Sequence, residues 1–488
     1  MKITRITATR KIHFFTDAKA EGKLTLTCLS PAYGSEKIIH TTELKYKVGQ
    51  YECERFIGEC DLITSRFIVS DASGNEIEGK KYVEDINNSQ RDYDYPTPGT
   101  KKGLQVVSVP DALHLGVKHA ALNVNLGDFI MLRDEDGSAI EFTYNGKKYY
   151  FNKKIVEDND KRIKDLSDNG MVITLIMLNS RKWVTMVSDE LWSVISHPGY
   201  DGFEGEKGIL SQFNMFTEEG IELYQAFVAF LVDRYTREDD KYGRAYGLIV
   251  GNEVNSAYTW CNAGLMECEE FCSQYTKVLR MTYQIASSIY KNMRTYISLD
   301  HFWTGRNYCG TPTKYYPARE VLERINAECL KEGQVGWNVA HHPYPENLAF
   351  PDFWNDETAT NSPDTFRITF KNLELLAEFL YHDDMLFNGK RRRIILSEQG
   401  FNSNWTPESE VLQAVAYARA YKKVMQIPEI DSFILHAHID NQYEFNLNLG
   451  LWRRQKDSGE IDAAKPMYHV FKAIDQKDDK GVYHWERY

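Results

Sequence analysis

Hydrophobic and polar residues follow two different periods along the chain, and the change between them divides it into two regions. In residues 1–110, short runs with a period of two predict strands at 23–28, 43–48 and 66–70, without a long amphipathic helix. This pattern predicts a small N-terminal β-sandwich-like domain. Residues 92–102 contain two prolines and a Gly-Thr step, which is typical of a linker or a crossing loop.

From residue 111 to residue 488, apolar runs of strand length alternate with amphipathic helical segments. The runs are almost continuously hydrophobic, which indicates strands buried on both faces of a parallel sheet. Eight alternations favour an α/β fold, a closed (β/α)8 TIM barrel, over an open doubly wound sheet, because no glycine-rich turn follows the first strand. The predicted strands are 120–126, 171–178, 213–216, 246–250, 294–299, 335–340, 393–396 and 431–436. The predicted helices are 152–166, 218–235, 267–290, 318–331, 365–381, 408–425 and 466–474.

One insertion interrupts this alternation. Residues 140–152 alternate apolar and polar side chains around Asn145-Gly146, which is a strong signal for a β-hairpin. The hairpin follows the first predicted strand, at the barrel end where active sites lie, so we expect it to form a wall of the cleft.

Composition is that of an ordinary globular protein of 488 residues, with 42% hydrophobic and 26% charged residues. The net charge of −12 argues against a nucleic-acid partner, which requires a basic surface. No apolar run of about 18 residues predicts a membrane span, and Met1 to Lys23 contain no apolar signal-peptide core. We therefore expect a cytoplasmic protein, or a secreted or periplasmic one if a leader has been removed. The eight sparse cysteines predict free thiols, and the oligomeric state stays open.

Two glutamates follow predicted strands four and seven, in Gly251-Asn252-Glu253 and Ser397-Glu398-Gln399-Gly400. Barrel active sites lie at the C-terminal ends of the strands. A carboxylate at the end of a buried strand costs free energy unless it has a partner or a function. Two in one barrel mouth predict glycoside hydrolysis, with retention at a carboxyl separation of about 5–5.5 Å and inversion at about 6.5–9.5 Å. The alternative is that each glutamate is an ion-paired residue of the barrel wall.

This arrangement resembles glycoside hydrolase clan A, in which the acid/base glutamate follows an asparagine after strand four and the nucleophile ends strand seven. The similarity extends roughly from residue 120 to residue 474, and the wider pattern resembles a bacterial family of unknown function. The resemblance implies that Glu253 is the acid/base, that Glu398 is the nucleophile, and that Asn252 binds the sugar 2-hydroxyl. It further implies retaining cleavage of O-glycosidic bonds, with β bonds favoured, in an oligo- or polysaccharide, without a metal or another cofactor.

Other polar and aromatic residues after the predicted strands complete the candidate site. The resemblance implies that Tyr344 contacts the nucleophile and that His342 contacts the substrate, while the adjacent His341 faces away from the cleft. Tryptophans in loops are candidate platforms for sugar rings, and Trp303 and Trp452 are preferred. The complete set of candidate substrate-binding residues is Asn252, Asn125, His301, Trp303, His342, Tyr344, His436 and Trp452.

Two alternatives belong to other functional classes. A metal-dependent hydrolase on the same barrel would bind zinc through a histidine set, assisted by Asp300 or Asp440. That set comprises His301, His341, His342, His436 and His438, although its His-x-His lies after the last strand rather than on the first. The second alternative is a non-catalytic carbohydrate-binding barrel. For the N-terminal β-region, buttressing of the barrel is favoured over polysaccharide binding.

Overall fold

The computed structural model describes residues 1–202, 209–307, 311–441, 445–455 and 458–476. Eight parallel strands form a closed barrel, in which each strand pairs with the next and the first pairs with the eighth. This confirms the predicted TIM barrel. The barrel strands are Lys102–Leu104, His119–Asn125, Val172–Leu178, Gly247–Val250, Arg294–Leu299, Trp337–His341, Ile394–Gln399 and Ile430–Leu435.

The first barrel strand, Lys102–Leu104, was not predicted, because three residues that include a lysine and a glycine show no strand pattern. A Cβ on Gly103 would lie 2.7 Å from Cγ1 of Ile434, so only glycine lets the first and eighth strands approach. The barrel therefore begins before the domain boundary expected at residue 110. The strand predicted at 213–216 is wrong, since Phe213 makes only an isolated bridge with Ser196. The two errors cancel, so Glu253 still follows strand four.

Helices surround the barrel, and most match the predicted ones within a few residues. The exception is 365–381, where only Glu374–Phe379 is helical. The side chains of Thr365 and Asn372 bond to nearby backbone carbonyls, an alternative that competes with helix formation. The α-helices are Val109–His114, Leu126–Phe129, Lys153–Ser167, Asp189–Ile195, Glu218–Tyr235, Ala257–Trp260, Cys268–Ile289, Ala318–Glu332, Glu374–Phe379, Pro407–Met425 and Pro466–Ala473. The 3-10 helices are Leu62–Thr64, Val254–Ser256, Phe353–Asn355 and Asp383–Met385.

The predicted hairpin is confirmed, but it does not form a wall of the cleft. Asn145 and Gly146 have φ angles of 50° and 74°, as a two-residue hairpin turn requires. Phe151 stacks on Phe230 of a barrel helix with ring centroids 3.9 Å apart. The hairpin therefore covers the outer surface of that helix. Its strands are Ile140–Tyr144 and Lys147–Phe151, and Ile130–Met131 extends the sheet; a further pair is Trp452–Arg454 with Ile461–Ala464.

The N-terminal region contains a five-stranded sheet and a three-stranded sheet that share one apolar core. Phe14 of one sheet and Phe67 of the other lie 5.6 Å apart, edge to face. This arrangement confirms the sandwich-like prediction. The strands of the region are Ile3–Ala8, Lys11–Thr16, Thr25–Leu29, Ile38–Glu43, Lys45–Lys47, Gln50–Glu54, Phe56–Ile57, Cys60–Asp61, Arg66–Ser70 and Asp85–Ile86.

The N-terminal region contacts helices on the outside of the barrel. Gln225 donates a buried hydrogen bond of 3.0 Å to Thr64, and Lys277 donates one of 3.0 Å to Tyr82. These hydrogen bonds join the N-terminal region to the barrel helices, and the buttressing role of the region stays a prediction.

Within the described ranges, no helix combines the length and the apolar character that a membrane span requires. Seven cysteines are free thiols there, and the eighth, Cys309, lies outside the described residues.

Candidate active site

Glu253 reaches the barrel mouth through a tight turn after strand four. Gly251 has a φ of 77°, the left-handed region that favours glycine, and Glu253 itself has a φ of 37°. The backbone N–H of Glu253 donates to the hydroxyl of Ser298 on strand five at 2.9 Å. A non-glycine residue in this conformation costs about 1–3 kcal/mol and persists only where its surroundings fix it. The turn therefore holds the carboxyl group in a defined place.

Glu398 lies on strand seven, one residue before the strand ends. The hydroxyl of Tyr344 donates to its Oε1 at 3.3 Å, so the contact between these two residues that the resemblance implies is present. Gly400 follows, and a Cβ there would lie 2.2 Å from the carbonyl oxygen of His436. Glycine is thus required for strand seven to pass the segment after strand eight.

The two glutamates converge on one point. One carboxylate oxygen of Glu253, one of Glu398 and a ring nitrogen of His342 all lie within 4.8 Å of one another. His342 was expected to contact substrate, but its Nδ1 lies 2.8 Å from Oε1 of Glu253 and its Nε2 lies 3.0 Å from Oγ of Ser397. The imidazole therefore joins the acid/base candidate to the strand that carries Glu398.

Burial controls the protonation of Glu253 and His342. It raises the pKa of Glu253 to about 7 and lowers the pKa of His342 below its ordinary value. Glu253 is thus protonated in a large fraction of molecules near neutral pH, while His342 is neutral.

A buried carboxylate, Asp300, stabilises the loop that carries Glu253. It accepts hydrogen bonds from Asn255 at 2.5 Å and from the hydroxyl of Ser256. Burial raises its pKa, and the negative charge of Glu253 raises it further. Sequence reasoning placed Asp300 only in the metal alternative, although its position directly after strand five was a signal.

The predicted substrate-binding asparagines differ in their accessibility. Asn252 is half-buried, and its side chain bonds to none of the residues that the structure describes. Asn125 is buried and bonds through both amide atoms to the backbone of Ser180. Asn125 therefore positions a loop, and its exposed neighbour Asn123 is better placed to meet substrate.

The histidines near the mouth occupy separate environments. His301 is buried and bonds to the carbonyl of Tyr344 at 2.9 Å. His436 and His438 lie beyond strand eight, which ends at Leu435, and they have different partners. His436 contacts Gln105 at 2.5 Å beside the mouth.

His438 is fully buried, and its Nε2 lies 2.8 Å from Oδ2 of Asp111. Its Nδ1 accepts the backbone N–H groups of Val107 and Ser108. These bonds fix the tautomer and tie the loop after strand one to the end of strand eight.

The preferred tryptophan platforms are not free in this structure. Trp303 is 2% exposed and donates to the carbonyl of Pro363, so it packs a loop and presents no ring face to a sugar. Trp452 is half-buried and donates to Asp111 at 2.7 Å. Trp183, by contrast, is 46% exposed in the loop after strand three. Sequence reasoning missed it, although Trp183 follows the predicted strand 171–178 and that position was a signal.

The histidine set of the metal alternative is not brought together. Of the residues that the structure describes, only Glu253, His342 and Glu398 place three donor atoms within 4.8 Å of one another. His341 instead faces away from this group and bonds to the carbonyl of Ile368 at 3.0 Å.

The fold and the site define a (β/α)8-barrel protein with a carboxyl pair at the C-terminal mouth of its barrel. The chain belongs to the family of unknown function DUF5722, which matches residues 94–485. No curated protein gives a significant sequence match.

Several solved structures are similar to this chain. A family 39 glycoside hydrolase from the gut symbiont Bacteroides cellulosilyticus WH2 is 14% identical, with a TM-score of 0.47, over 96% of this chain and 81% of that one. A family 1 β-glucosidase from Thermotoga maritima is 10% identical, with a TM-score of 0.44, over 75% of this chain and 84% of that one. A GH5_18 protein from Bifidobacterium longum subsp. infantis is 14% identical, with a TM-score of 0.42, over 75% of this chain and 71% of that one.

Proposed function

We propose that this protein is a retaining glycoside hydrolase that cleaves O-glycosidic bonds, β bonds first among them, in an oligo- or polysaccharide. The observation that carries the proposal is the approach of Glu253 and Glu398 within 4.8 Å. That approach is nearer to the separation of about 5–5.5 Å between the carboxyl groups of a retaining enzyme than to the about 6.5–9.5 Å of an inverting one. It suits direct attack by one carboxylate on the sugar.

The first step forms a covalent intermediate. The Glu398 carboxylate attacks the anomeric carbon, and the bond from that carbon to the leaving oxygen breaks as protonated Glu253 donates its proton to that oxygen. Burial supplies the protonated form, because it raises the pKa of Glu253 to about 7. In the second step Glu253, now ionised, removes a proton from water, and the water oxygen displaces Glu398 from the sugar.

Neighbouring residues orient the two carboxyl groups for these roles. If His342 donates its Nδ1–H to Oε1 of Glu253 at 2.8 Å, the transferable proton resides on Oε2. The Nε2 of His342 then accepts from the hydroxyl of Ser397 at 3.0 Å. The hydroxyl of Tyr344 holds Oε1 of Glu398, so the other oxygen is free to attack.

The test is a screen of aryl glycosides and plant, algal and microbial polysaccharides, with the Glu398→Gln variant as the blank. For any substrate that is hydrolysed, NMR of the first product identifies its anomeric configuration. Retention together with an inactive Glu398→Gln variant supports the proposal. Inversion, or unchanged activity of this variant, overturns the mechanism, and sugar binding without turnover indicates a carbohydrate-binding protein.

A metal-dependent hydrolase is the second candidate, because Glu253, His342 and Glu398 are spaced as ligands of a metal ion. Both ring nitrogens of His342 already lie within hydrogen-bond distance of protein groups, which favours the glycosidase mechanism. Treatment with a chelator distinguishes the two. Lasting loss of activity that Zn²⁺ restores would favour the metal enzyme.

A further inference from the structure

A cavity of about 490 Å³ opens beside the barrel mouth and is separate from the pair of glutamates. It lies between the segment after strand one, the end of strand two and the segment after strand eight. Its lining includes Gln105, Asn123, Trp183 and His436. The proposed mechanism leaves this cavity without a role.

The cavity exists because strands one and two separate early. They pair only at Gly103 with His119 and at Leu104 with Ala120, while strand two continues to Asn125. The open edge of strand two therefore forms one wall.

The cavity adjoins the end of strand seven through His436, the residue that follows strand eight. The N–H of His436, which lines the cavity, donates at 2.8 Å to the carbonyl of Gln399, the residue after Glu398. The cavity lining is therefore joined directly to the strand end that carries Glu398.

Two guanidinium groups line the cavity, and among the described residues their hydrogen-bond partners are backbone carbonyls. Arg162 donates to the carbonyl of Val106 at 2.7 Å. Arg454 donates to the carbonyls of Asp440 and Gly459 at 2.8 and 2.7 Å. Within the described part of the chain, neither has a carboxylate oxygen within 4 Å.

The carboxylates that line the same cavity have partners of their own. Asp158 pairs with Lys154 at 2.6 Å, and Asp440 pairs with Lys465 at 2.7 Å. Asp128 accepts three hydrogen bonds from Val184 and Thr185. Among the charged side chains of this lining, Arg162 and Arg454 are the ones without a side-chain partner in the described part of the chain, so their guanidinium groups are available to an anionic ligand.

Trp183 completes the lining. It is 46% exposed, and its indole has no hydrogen bond and no ring contact with any residue that the structure describes. An exposed indole face stacks on the apolar face of a sugar ring, and a guanidinium fork binds a carboxylate or a sulfate group.

We propose that this cavity is a subsite for a sugar unit that carries an anionic group, a carboxylate or a sulfate. Trp183 stacks on the ring, and Arg162 and Arg454 bind the anion. The inference rests on the proposed glycosidase function and defines its substrate as an acidic glycan.

The experiment measures binding in the Glu398→Gln background, so that no substrate is consumed. Calorimetry compares Arg162→Gln with its parent on two matched pairs of oligosaccharides. One pair is a uronate oligosaccharide and its carboxyl-reduced form, and the other is a sulfated oligosaccharide and its desulfated form. The control is Lys161→Gln, which removes a positive charge from the adjacent exposed position, outside the cavity lining.

We expect the Glu398→Gln parent to bind the acidic oligosaccharide of one pair at least tenfold more tightly than the neutral oligosaccharide of that pair. Arg162→Gln should weaken that acidic binding about 10–100-fold, the effect of losing a charge-assisted hydrogen bond, and change neutral binding less than twofold. Lys161→Gln should leave the affinities for the acidic and the neutral oligosaccharide unchanged. The pair that shows the preference identifies the anion as carboxylate or sulfate.

Equal binding of acidic and neutral forms, or equal loss for both in Arg162→Gln, overturns the inference. Arg162→Lys, which keeps the charge but loses the fork, provides a second variant if Arg162→Gln does not fold. If the wild type hydrolyses glycans but the arginine variants bind as the parent does, only this inference fails. If no glycan is hydrolysed, the proposed function fails.

Discussion

The imidazole of His342 connects the two halves of the carboxyl pair, with Nδ1 2.8 Å from Oε1 of Glu253 and Nε2 3.0 Å from Oγ of Ser397, the residue before Glu398. Burial lowers the pKa of His342, so the imidazole is neutral and donates through one nitrogen at a time. It therefore orients both carboxyl-bearing elements without adding a positive charge that would ionise Glu253.

Replacement of His342 by alanine should impair catalysis more than substrate binding. Loss of one hydrogen bond to the acid/base costs about 1–3 kcal/mol, so we expect kcat to fall about 10–100-fold while KM changes less than threefold. Steady-state kinetics and a pH profile of kcat measure the effect. Because His342 acts through Glu253, the variant should also shift the limb of the profile that Glu253 controls.

The neighbouring histidine supplies the control. His341 is equally buried but faces away from the carboxyl pair and bonds to the carbonyl of Ile368. His341→Gln should leave the position of the pH limb unchanged. If both variants lose activity to the same degree with unshifted profiles, His342 has only a packing role.

The raised pKa of Glu253 fixes the pH dependence of the proposed reaction. Glu253 must be protonated to act as the acid, and burial raises its pKa to about 7. We therefore expect kcat/KM on a substrate with a poor leaving group to fall tenfold for each pH unit above about 7. A dinitrophenyl glycoside, whose leaving group needs no proton, should lack this limb for its first step. The same limb on both substrates would show that another group controls it.

The same pKa has a consequence for stability. The carboxyl of Glu253 has an ordinary pKa of 4.5 and a folded pKa of about 7, so folding opposes its ionisation. The ionisation of Glu253 therefore lowers the free energy of unfolding. This loss is absent below about pH 4.5, grows as the pH rises, and is complete above about pH 7. Glu253→Gln removes the ionisation, so it should raise the free energy of unfolding by up to about 3 kcal/mol at pH 8.

Denaturant unfolding at pH 4 and at pH 8 measures this difference between Glu253→Gln and the wild type. At pH 4 the two proteins should be equally stable, since the wild-type carboxyl is then protonated in both states. A constant difference at both pH values would contradict the linkage. Asp61→Asn, which removes an ion-paired carboxylate far from the mouth, provides an opposite control, because it should destabilise the protein.

The positions of Glu253 and Glu398 could be predicted from sequence because each comes after a run of four buried strand residues. The strand Lys102–Leu104 could not, since its place depends on pairing with residues more than 300 positions away. The role of His342 was also hidden. Sequence alternation indicates that His341 and His342 face opposite ways, but only the folded barrel shows that His342 contacts Glu253.

Loop residues were predicted least well, because burial of a loop side chain depends on the neighbouring loops. Trp303 and Trp183 both follow barrel strands, yet the first is 2% and the second 46% exposed. Trp303 is covered by the segment that contains Pro363, which is 60 residues away in the chain. No local pattern distinguishes the two tryptophans.

A buried ion pair fixes the segment after strand eight, where the proposed anionic subsite has one wall. Lys465 and Asp440 are 1% and 2% exposed in their side chains, and Nζ of Lys465 lies 2.7 Å from Oδ1 of Asp440. Replacement of Lys465 by methionine leaves the carboxylate buried without a cation. We expect a loss of about 3–5 kcal/mol in the free energy of unfolding at pH 8, measured by denaturant unfolding.

A second substitution separates the charge effect from the loss of packing. Asp440→Asn in the Lys465→Met background removes the uncompensated charge, so the double variant should recover most of the lost stability. The free energy of unfolding of Lys465→Met should also approach that of the wild type as the pH falls, because protonation of Asp440 removes the same charge. If the double variant is no more stable than Lys465→Met at pH 8, Lys465 contributes through its hydrogen bonds to Ser403 and Asn448 instead of through its charge.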